Sequence, residues 1–314
     1  MAENTMGSTG GISGEVVWLD GDFVPWDAAN VPILTHTLHY GLGVFEGLRC
    51  YRTDDERSVV FRLTEHVDRL YDSAHINLME IPFDRADVEA AILETLRRNG
   101  LREGYIRPLA FIGDGEMGLN PGDNAIRVAV IVWPWGRYLG EEGLERGIRA
   151  KVSTFSRHSV NSKLTKGKTC GDYVNSILAK REALLDGYDE AILLDTHGFV
   201  SEASGENVFL VRDSELYTPP LPTVLGGITR ASVIELARDR GIVVRECAFA
   251  RDELYLADEL FLTGTAAEVT PVREVDHRRI GTGTRGSITK TLQTAFFDVV
   301  TGRDRKHERW LTSV

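Results

Sequence analysis

Hydrophobic and polar positions alternate in short blocks along most of the chain. Val16–Leu19 and residues 22–24 flank Asp20-Gly21, a turn pair that joins two strands into a hairpin. Residues 46–51 and 59–61 read as further strands. At Thr64 the period changes to that of a helix, with Thr64 as its cap and Val67, Leu70, Tyr71 and Ala74 on one face. Asp84 caps a second helix, with Val88, Ala91, Ile92 and Leu96 inward and Gly100 as its stop. Strands follow at 105–112 and 126–132. The second is apolar enough to be central, whereas Pro108, with no N–H to donate, places the first at an edge or a bulge.

Residues 133–147 lose the periodicity and are rich in glycine, so they read as a connection between two units. Beyond it come a strand at 148–154, a helix at 172–185 stopped near Gly187, and strands at 190–195 and 199–202 around Thr196-His197-Gly198. A strand at 208–211, a helix at 230–240, strands at 242–246, 259–263 and 269–275, and a helix at 287–301 complete the pattern. The expected organisation is α+β: a tail at 1–14, a smaller unit at 15–132, an interdomain loop at 133–147 and a larger unit at 148–314. There is no internal repeat.

Composition narrows the function. The 314 residues carry a net charge of −11, which repels nucleic acid and anionic lipid. The longest apolar run, 128–135, is far short of the ~20 residues of a membrane span, and the first residues lack a basic, then apolar, leader pattern. Three scattered cysteines, Cys50, Cys170 and Cys247, suggest neither a disulfide framework nor a metal site, and a cytoplasmic location is expected.

Lysine usage is uneven. Of 36 basic residues seven are lysine, none before residue 151, and three fall at Lys163, Lys166 and Lys168. A chain that otherwise uses arginine for charge is expected to keep lysine where a primary amine matters, although a basic loop would give the same count. LGGITR at 225–230 is a glycine-rich turn entering a helix, with Thr229 near its cap. GTAAE at 264–268 follows an apolar strand. Both bring backbone N–H groups close to an anion; a plain capped helix and a tight turn are the structural alternatives. Lysine beside a phosphate cradle points to pyridoxal 5′-phosphate, whose aldehyde condenses with an amine and whose ring nitrogen needs a buried acid. Glu202 and Glu206 both qualify on position.

Seven segments together resemble the branched-chain amino acid aminotransferases, of fold type IV. They are LHYGLGVFEGLR (38–49), YIRPL (105–109) with Gly113 and MGLN (117–120), WPWGRYLG (133–140), KTCGDY (168–173), SEASGEN (201–207), GITR (227–230) and GTAAE (264–268). The resemblance implies a two-domain fold with a smaller N-terminal α/β domain and a larger C-terminal domain built on a barrel-like sheet with flanking helices. It implies pyridoxal 5′-phosphate as cofactor and Lys168 as the catalytic Schiff-base lysine, leaving Lys163 and Lys166 as loop charges. Tyr173 would meet the cofactor's 3′ oxygen and Glu202 its ring nitrogen, with Glu206 structural. Arg69, which its helix alone marks as a solvated arginine, would reach the phosphate together with Gly227, Ile228, Thr229, Gly264 and Thr265, and Leu225 would pack on the ring.

On the substrate side the resemblance implies an apolar pocket of Tyr40, Phe45, Gly47, Tyr105, Trp135 and Tyr138. Arg107 and Tyr40 would stand at the rim for a distal carboxylate, and Gly264, Thr265 and Ala266 would hold the α-carboxylate. Strand alternation independently puts Tyr105 and Arg107 on one face, where a sheet-edge ion pair is the alternative. The implied reaction moves the amino group of L-leucine, L-isoleucine or L-valine to 2-oxoglutarate, giving L-glutamate, in a homodimer or higher homo-oligomer with each site bordered by a neighbour's 117–120 loop. A D-amino acid or (R)-amine transaminase on the same fold is the alternative. Cys170 stands where glycine, and Asp172 where asparagine, is usual in the lysine motif; the 218–226 loop is short.

Overall fold

The computed structural model describes residues 12–136 and 140–314. Its first sheet contains β1 (Val16–Leu19), β2 (Asp22–Pro25), β3 (Gly43–Phe45), β4 (Leu48–Arg52), β5 (Ser58–Phe61), β6 (Gly104–Ile112) and β7 (Ile126–Trp133). A short helix α1 (His36–Tyr40) precedes β3, and α2 (Leu63–Ile76) and α3 (Arg85–Arg98) cover one face of the sheet. Their apolar stripes, Val67, Leu70 and Ala74 with Val88, Ala91, Ile92 and Leu96, bury against Cys50, Ile106, Val128, Val130 and Val132. The opposite face carries only a small buried cluster of Val17, Phe111 and Ala129.

Three local expectations are corrected. Thr64 does not cap α2: the helix starts at Leu63 after Arg62, whose left-handed backbone (φ 53°) turns the chain out of β5. A hydrogen bond from Arg62 N to Trp310 O (2.7 Å) and the Trp310 ring 4.8 Å from the guanidinium hold that turn, so a distant contact overrides the local cap signal. Pro108 is not on an edge strand, since β6 lies between β4 and β7 in the order β5-β4-β6-β7-β1-β2. Its carbonyl accepts from Glu46 N (2.9 Å), so the missing N–H faces the same side, where the neighbouring chain breaks between β3 and β4. Within 133–147, α4 (Gly140–Arg146) forms a helix that the sequence pattern did not announce.

The second sheet contains β8 (Ile148–Val152), β9 (Glu190–Leu194), β10 (Val200–Ala203), β11 (Asn207–Arg212), β12 (Glu215–Thr218), β13 (Val244–Glu246), β14 (Glu259–Gly264), β15 (Glu268–Val275) and the short β16 (Arg278–Arg279). Six of these strands close on themselves, β10-β9-β8-β15-β14-β11 and back to β10, through the pair Glu202↔Asn207. This is the barrel-like sheet expected for the fold type. Around it lie α5 (Tyr173–Leu185), α6 (Ile228–Arg238), α7 (Arg251–Leu256) and α8 (Ser287–Val300). Strand alternation separates two cores: Val208, Leu210, Leu260 and Leu262 face one, while Phe209 and Phe261, stacked at 5.0 Å, face α6 and α8. The last strand, β17 (Leu311–Ser313), returns to pair with β5 of the first sheet.

Candidate active site

Lys168 lies where the two sheets meet. Its backbone is held twice: Lys168 N donates to Ser73 Oγ on α2 (3.0 Å), and Lys168 O accepts from Phe45 N on β3 (3.1 Å). Downstream, Gly171 N donates to Gly41 O (2.9 Å), and a side chain on Gly171 would press on the Gly41 carbonyl at 3.2 Å. The chain then turns through a 3-10 segment, Cys170–Asp172, which brings Tyr173 to the first position of α5. Five residues apart in sequence, Lys168 Nζ donates to Tyr173 Oη at 2.5 Å, and the Phe45 ring, itself 4.9 Å from that of Tyr173, stands 4.9 Å from the amine.

Lys168 and Tyr173 line two adjoining hollows. The larger is a cavity of about 530 Å³ bounded by Phe45, Gly47, Arg69, Tyr105, Arg107 and Trp135, with Thr265 and Ala266 opposite. The smaller leads to Glu202 and Leu225. Glu202 is buried and chelated by Arg157, Nε donating to Oε1 (2.8 Å) and Nη2 to the same oxygen (2.7 Å), while Oε2 accepts from Leu225 N (3.1 Å). Burial raises its proton affinity, but the charges of Arg157 and Lys163 outweigh that, and the carboxyl is held below its ordinary range. It is therefore an anion at neutral pH.

Glu206, read from the sequence as structural, lines both hollows. Burial first, and the neighbouring Glu190 carboxylate second, push its carboxyl up to about 8. Lys180 Nζ, paired with Glu190 at 2.5 Å, offsets part of that rise. Glu206 thus gives up its proton less readily than Glu202, a difference between the two candidates that sequence position alone left equal.

Arg69 lines the cavity, but not as a free guanidinium. Nε and Nη2 grip Glu46 Oε1 and Oε2 (2.6 and 2.9 Å), and Nη1 donates to Gly226 O (2.8 Å) in the turn before α6. Glu46 is fully buried and also accepts from His66 Nδ1 (2.6 Å). Burial would raise the Glu46 carboxyl, yet Arg69 and then His66 pull it far below the usual range. Burial keeps His66 below its usual value, against the pull of Glu46. Glu46, His66 and Arg157 were not singled out by sequence reasoning; an acid inside the apolar run at 44–48 was the one available signal.

At the turn, Gly227 precedes α6 with no side-chain cap, and among the described residues the N–H groups of Ile228 and Thr229 make no hydrogen bond. A Cβ on Gly227 would collide with Asn207 Oδ1, so this backbone approaches β11 more closely than any other residue type allows. Gly264 sits against Glu206 and the Gly205 carbonyl (3.3 and 3.4 Å from a Cβ position). These groups fit pyridoxal 5′-phosphate by donor type. They provide an amine paired with a phenol, an ionised buried carboxylate, and unpartnered helix N-terminal N–H groups for a phosphate.

In the larger cavity Tyr105 packs edge-on to Trp135 (4.5 Å). Arg107 lies over Phe45 (4.7 Å) and lines the cavity, and its Nε is buried without a hydrogen-bond partner. Gly47 makes room for Tyr105, whose hydroxyl occupies the place of a Cβ there. Gly47→Ala is expected to displace the Tyr105 ring and to weaken the binding of an apolar ligand in this cavity about tenfold, as a ratio of dissociation constants between variant and parent.

Two expectations do not meet the cavity. Tyr40 is not among its lining residues within one chain: it stacks on His36 (4.5 Å) and is 44% exposed, because α1 projects it from the far end of β3. Tyr138 lies outside the described residues. A third is corrected. Lys163 and Lys166 are not free loop charges, since Lys166 Nζ donates to Leu221 O and Val224 O, and Lys163 is buried beside Asp172 along the Glu202 hollow.

The class IV amino-transferase family model matches residues 43–275. The chain is 48% identical over 299 residues to the branched-chain-amino-acid aminotransferase of Pseudomonas aeruginosa, covering 95% of this chain and 97% of that protein. It is 45% identical over 302 residues to the Escherichia coli K12 protein of the same name, covering 96% and 97%. Among solved structures, the E. coli branched-chain amino acid aminotransferase superposes with a TM-score of 0.93 at 45% identity, over 95% of this chain and 99% of that one. The T.th. branched-chain amino acid aminotransferase with pyridoxamine 5′-phosphate gives 0.93 at 48% identity, over 96% and 99%. A second structure of the T.th. enzyme holds N-(5′-phosphopyridoxyl)-L-glutamate (TM-score 0.92).

Proposed function

The chain belongs to the class IV amino-transferases, and from that premise we propose that its 530 Å³ cavity moves the amino group of L-leucine, L-isoleucine or L-valine to 2-oxoglutarate. The enzyme is a pyridoxal-phosphate-dependent branched-chain amino acid transaminase. What carries the site assignment is the 2.5 Å contact of Lys168 Nζ with Tyr173 Oη, set between an apolar cavity and the ionised Glu202. When bound, the cofactor supplies an aldehyde for the amine and a ring that takes up the electron pair left by the α-proton.

The chain's own residues do the rest. Lys168 Nζ would hold the cofactor through its aldehyde carbon and, once freed by the substrate's amine, would carry the α-proton from the substrate to that same carbon. Tyr173 Oη orients that amine. Glu202, kept anionic by Arg157, keeps the ring nitrogen protonated, and Leu225 packs on the ring. Gly227, Ile228, Thr229, Gly264 and Thr265 hold the phosphate with Arg69, whose grip on Gly226 fixes the turn. Phe45, Gly47, Tyr105, Trp135 and Ala266 enclose an aliphatic side chain and exclude water. Arg107 receives the second carboxylate of the acceptor; its aromatic surround of Phe45, Tyr105 and Trp133 also accepts an alkyl group when that carboxylate is absent.

Residues 15–132 form the smaller unit in this reading, 133–147 the connection, and 148–314 the cofactor-holding unit. A second copy completes the molecule. Its support is an exposed apolar surface on the open face of the first sheet, with Ile33, Leu38 and Leu119 bare to solvent and a groove over Val17, Phe111 and Ala129. Tyr40 and the 117–120 loop then face the neighbour's site. Among the described residues no helix is long and apolar enough to cross a membrane, and we place the enzyme in the cytoplasm.

A panel of L-leucine, L-isoleucine and L-valine against D-alanine and (R)-1-phenylethylamine, with 2-oxoglutarate as acceptor, tests the substrate class. Turnover confined to the first three supports it, and turnover of the D-amino acid or amine in their place overturns it. Arg107→Met separates the two substrate roles. The KM for 2-oxoglutarate is expected to rise about tenfold to a hundredfold, the loss of a charge-assisted bond, while that for leucine moves less than about threefold. Equal changes in both would contradict the role given to Arg107.

A further inference from the structure

Beside the Glu202 hollow sits an ion pair whose lysine also helps Arg157 to keep Glu202 ionised. Lys163 Nζ lies 4.0 Å from Asp172 Oδ2, with 10% and 21% of the two side chains exposed. Both line the hollow that holds Lys168, Tyr173, Arg157 and Glu202. Asp172 immediately precedes α5, the place where an aspartate ordinarily caps the helix, yet it makes no cap hydrogen bond. It is turned to Lys163 instead. Lys163 makes no side-chain hydrogen bond among the described residues, and Asp172 is its one ionic partner there.

Both residues are anchored. Lys163 N donates to Ser159 O (3.1 Å), and the turn that follows is pinned through Lys166 to the 221–224 segment. Asp172 closes the 3-10 turn between Lys168 and Tyr173. The burial of a lysine at this point has a cost that a solvent-facing residue would avoid. Its charge faces Glu202 on β10, Arg157 and His158 on the segment after β8, Asp172 at the start of α5, and Lys168. A cation here disfavours any proton on the Lys168 nitrogen, and the adjacent anion cancels part of that effect.

We propose that Lys163 and Asp172 are a charge-compensated pair of positioning residues that sets the proton affinity at the Lys168 nitrogen. The proposal rests on the reading of Lys168 and Glu202 as the cofactor's two ends. Its signature is a pair of opposite shifts. Removing the cation lets the Lys168 nitrogen keep its proton to higher pH. Removing the anion leaves Lys163 unopposed, and the proton is lost at lower pH. Removing both restores the balance. A residue that merely packs the hollow gives no such sign reversal.

The test is a pH titration of the visible absorbance of the holoenzyme, with pyridoxal 5′-phosphate bound, in parent, Lys163→Met, Asp172→Asn and the double variant. The midpoint is expected to rise by about half a unit or more in Lys163→Met, to fall by a similar amount in Asp172→Asn, and to return close to the parent in the double variant. Lys163→Arg, which keeps the charge, is expected to keep the parent midpoint, and Lys163→Gln, which also removes the charge, takes the place of the methionine variant if that one does not fold. Shifts of the same sign, no shift in either single variant, or a Lys163→Arg midpoint displaced like that of Lys163→Met would overturn the proposal. A parent enzyme with no visible band on adding the cofactor would overturn the cofactor reading itself, which is a different result from a band whose midpoint ignores the pair.

Discussion

Lys168→Ala is expected to lower kcat for leucine transamination by at least about a thousandfold, the loss of both a covalent anchor and the group that moves the α-proton. The reason lies in the surroundings of the amine. Its backbone is fixed by Ser73 and Phe45, and its Nζ reaches Tyr173 Oη at 2.5 Å. Neither neighbouring lysine can take its place. Lys166 is bonded to the carbonyls of Leu221 and Val224, and Lys163 faces Asp172. The backbone bonds survive truncation to alanine, so the variant is expected to fold and to bind the cofactor without linking to it. Added alkylamine, which can enter the space left in the 530 Å³ cavity, should restore part of the rate. A variant that keeps more than a tenth of parent kcat would refute the role of Lys168.

Glu46→Gln is the second large effect, on stability. Glu46 is buried between Arg69 and His66, with every carboxylate bond made to a side chain of α2 or to its neighbour Gly47 N (3.2 Å). Gln keeps the shape and removes the charge, leaving the Arg69 guanidinium without its counter-ion; such a loss costs about 3 kcal/mol. The linkage sign follows from the depressed Glu46 carboxyl. Its stabilisation is complete above the ordinary carboxylate value of 4.5 and is lost progressively as the pH falls below that. The parent is therefore expected to weaken in acid with a slope that the Gln variant partly lacks. Urea unfolding at pH 7 and at pH 4 checks both statements. A loss under about 1 kcal/mol at pH 7, or identical acid slopes, would count against them. Because Arg69 also holds Gly226 O, the variant should bind pyridoxal 5′-phosphate more weakly as well.

Much of this site was legible before any coordinates. Lys168, Tyr173 and Glu202 were implied by the family resemblance, where the residues alone left three lysines and two acids open; in the structure Lys168 Nζ meets Tyr173 Oη, and Glu202 lines the adjoining hollow. Strand alternation likewise placed Tyr105 and Arg107 on one face, and both line the cavity. The Glu46–His66–Arg69 cluster was out of reach because its members sit 20 and 23 residues apart, on the chain between two strands and on a helix. Nothing in either local pattern shows that these elements cross. Pro108 misled for the same reason. A proline is excluded from a central strand unless the neighbouring chain is broken opposite it, and the break at Glu46-Gly47 is visible only in the pairing. Arg62 displaced Thr64 at the start of α2 through Trp310, nearly 250 residues away in sequence. Arg157 has no motif at all; it is identified by the carboxylate it holds.

Glu202 and Glu206 show how two acids four residues apart come to differ in how readily they ionise. One faces Arg157 and Lys163, the other faces Glu190, whose cation is already shared. Position along the chain does not distinguish them, but the charges packed against each do.

The most direct test of the central claim is borohydride reduction of the enzyme loaded with pyridoxal 5′-phosphate, followed by peptide mapping. The account predicts one phosphopyridoxyl group per chain, on the lysine at position 168, with Lys163 and Lys166 unlabelled. A label on either of those lysines, or none at all, would contradict it.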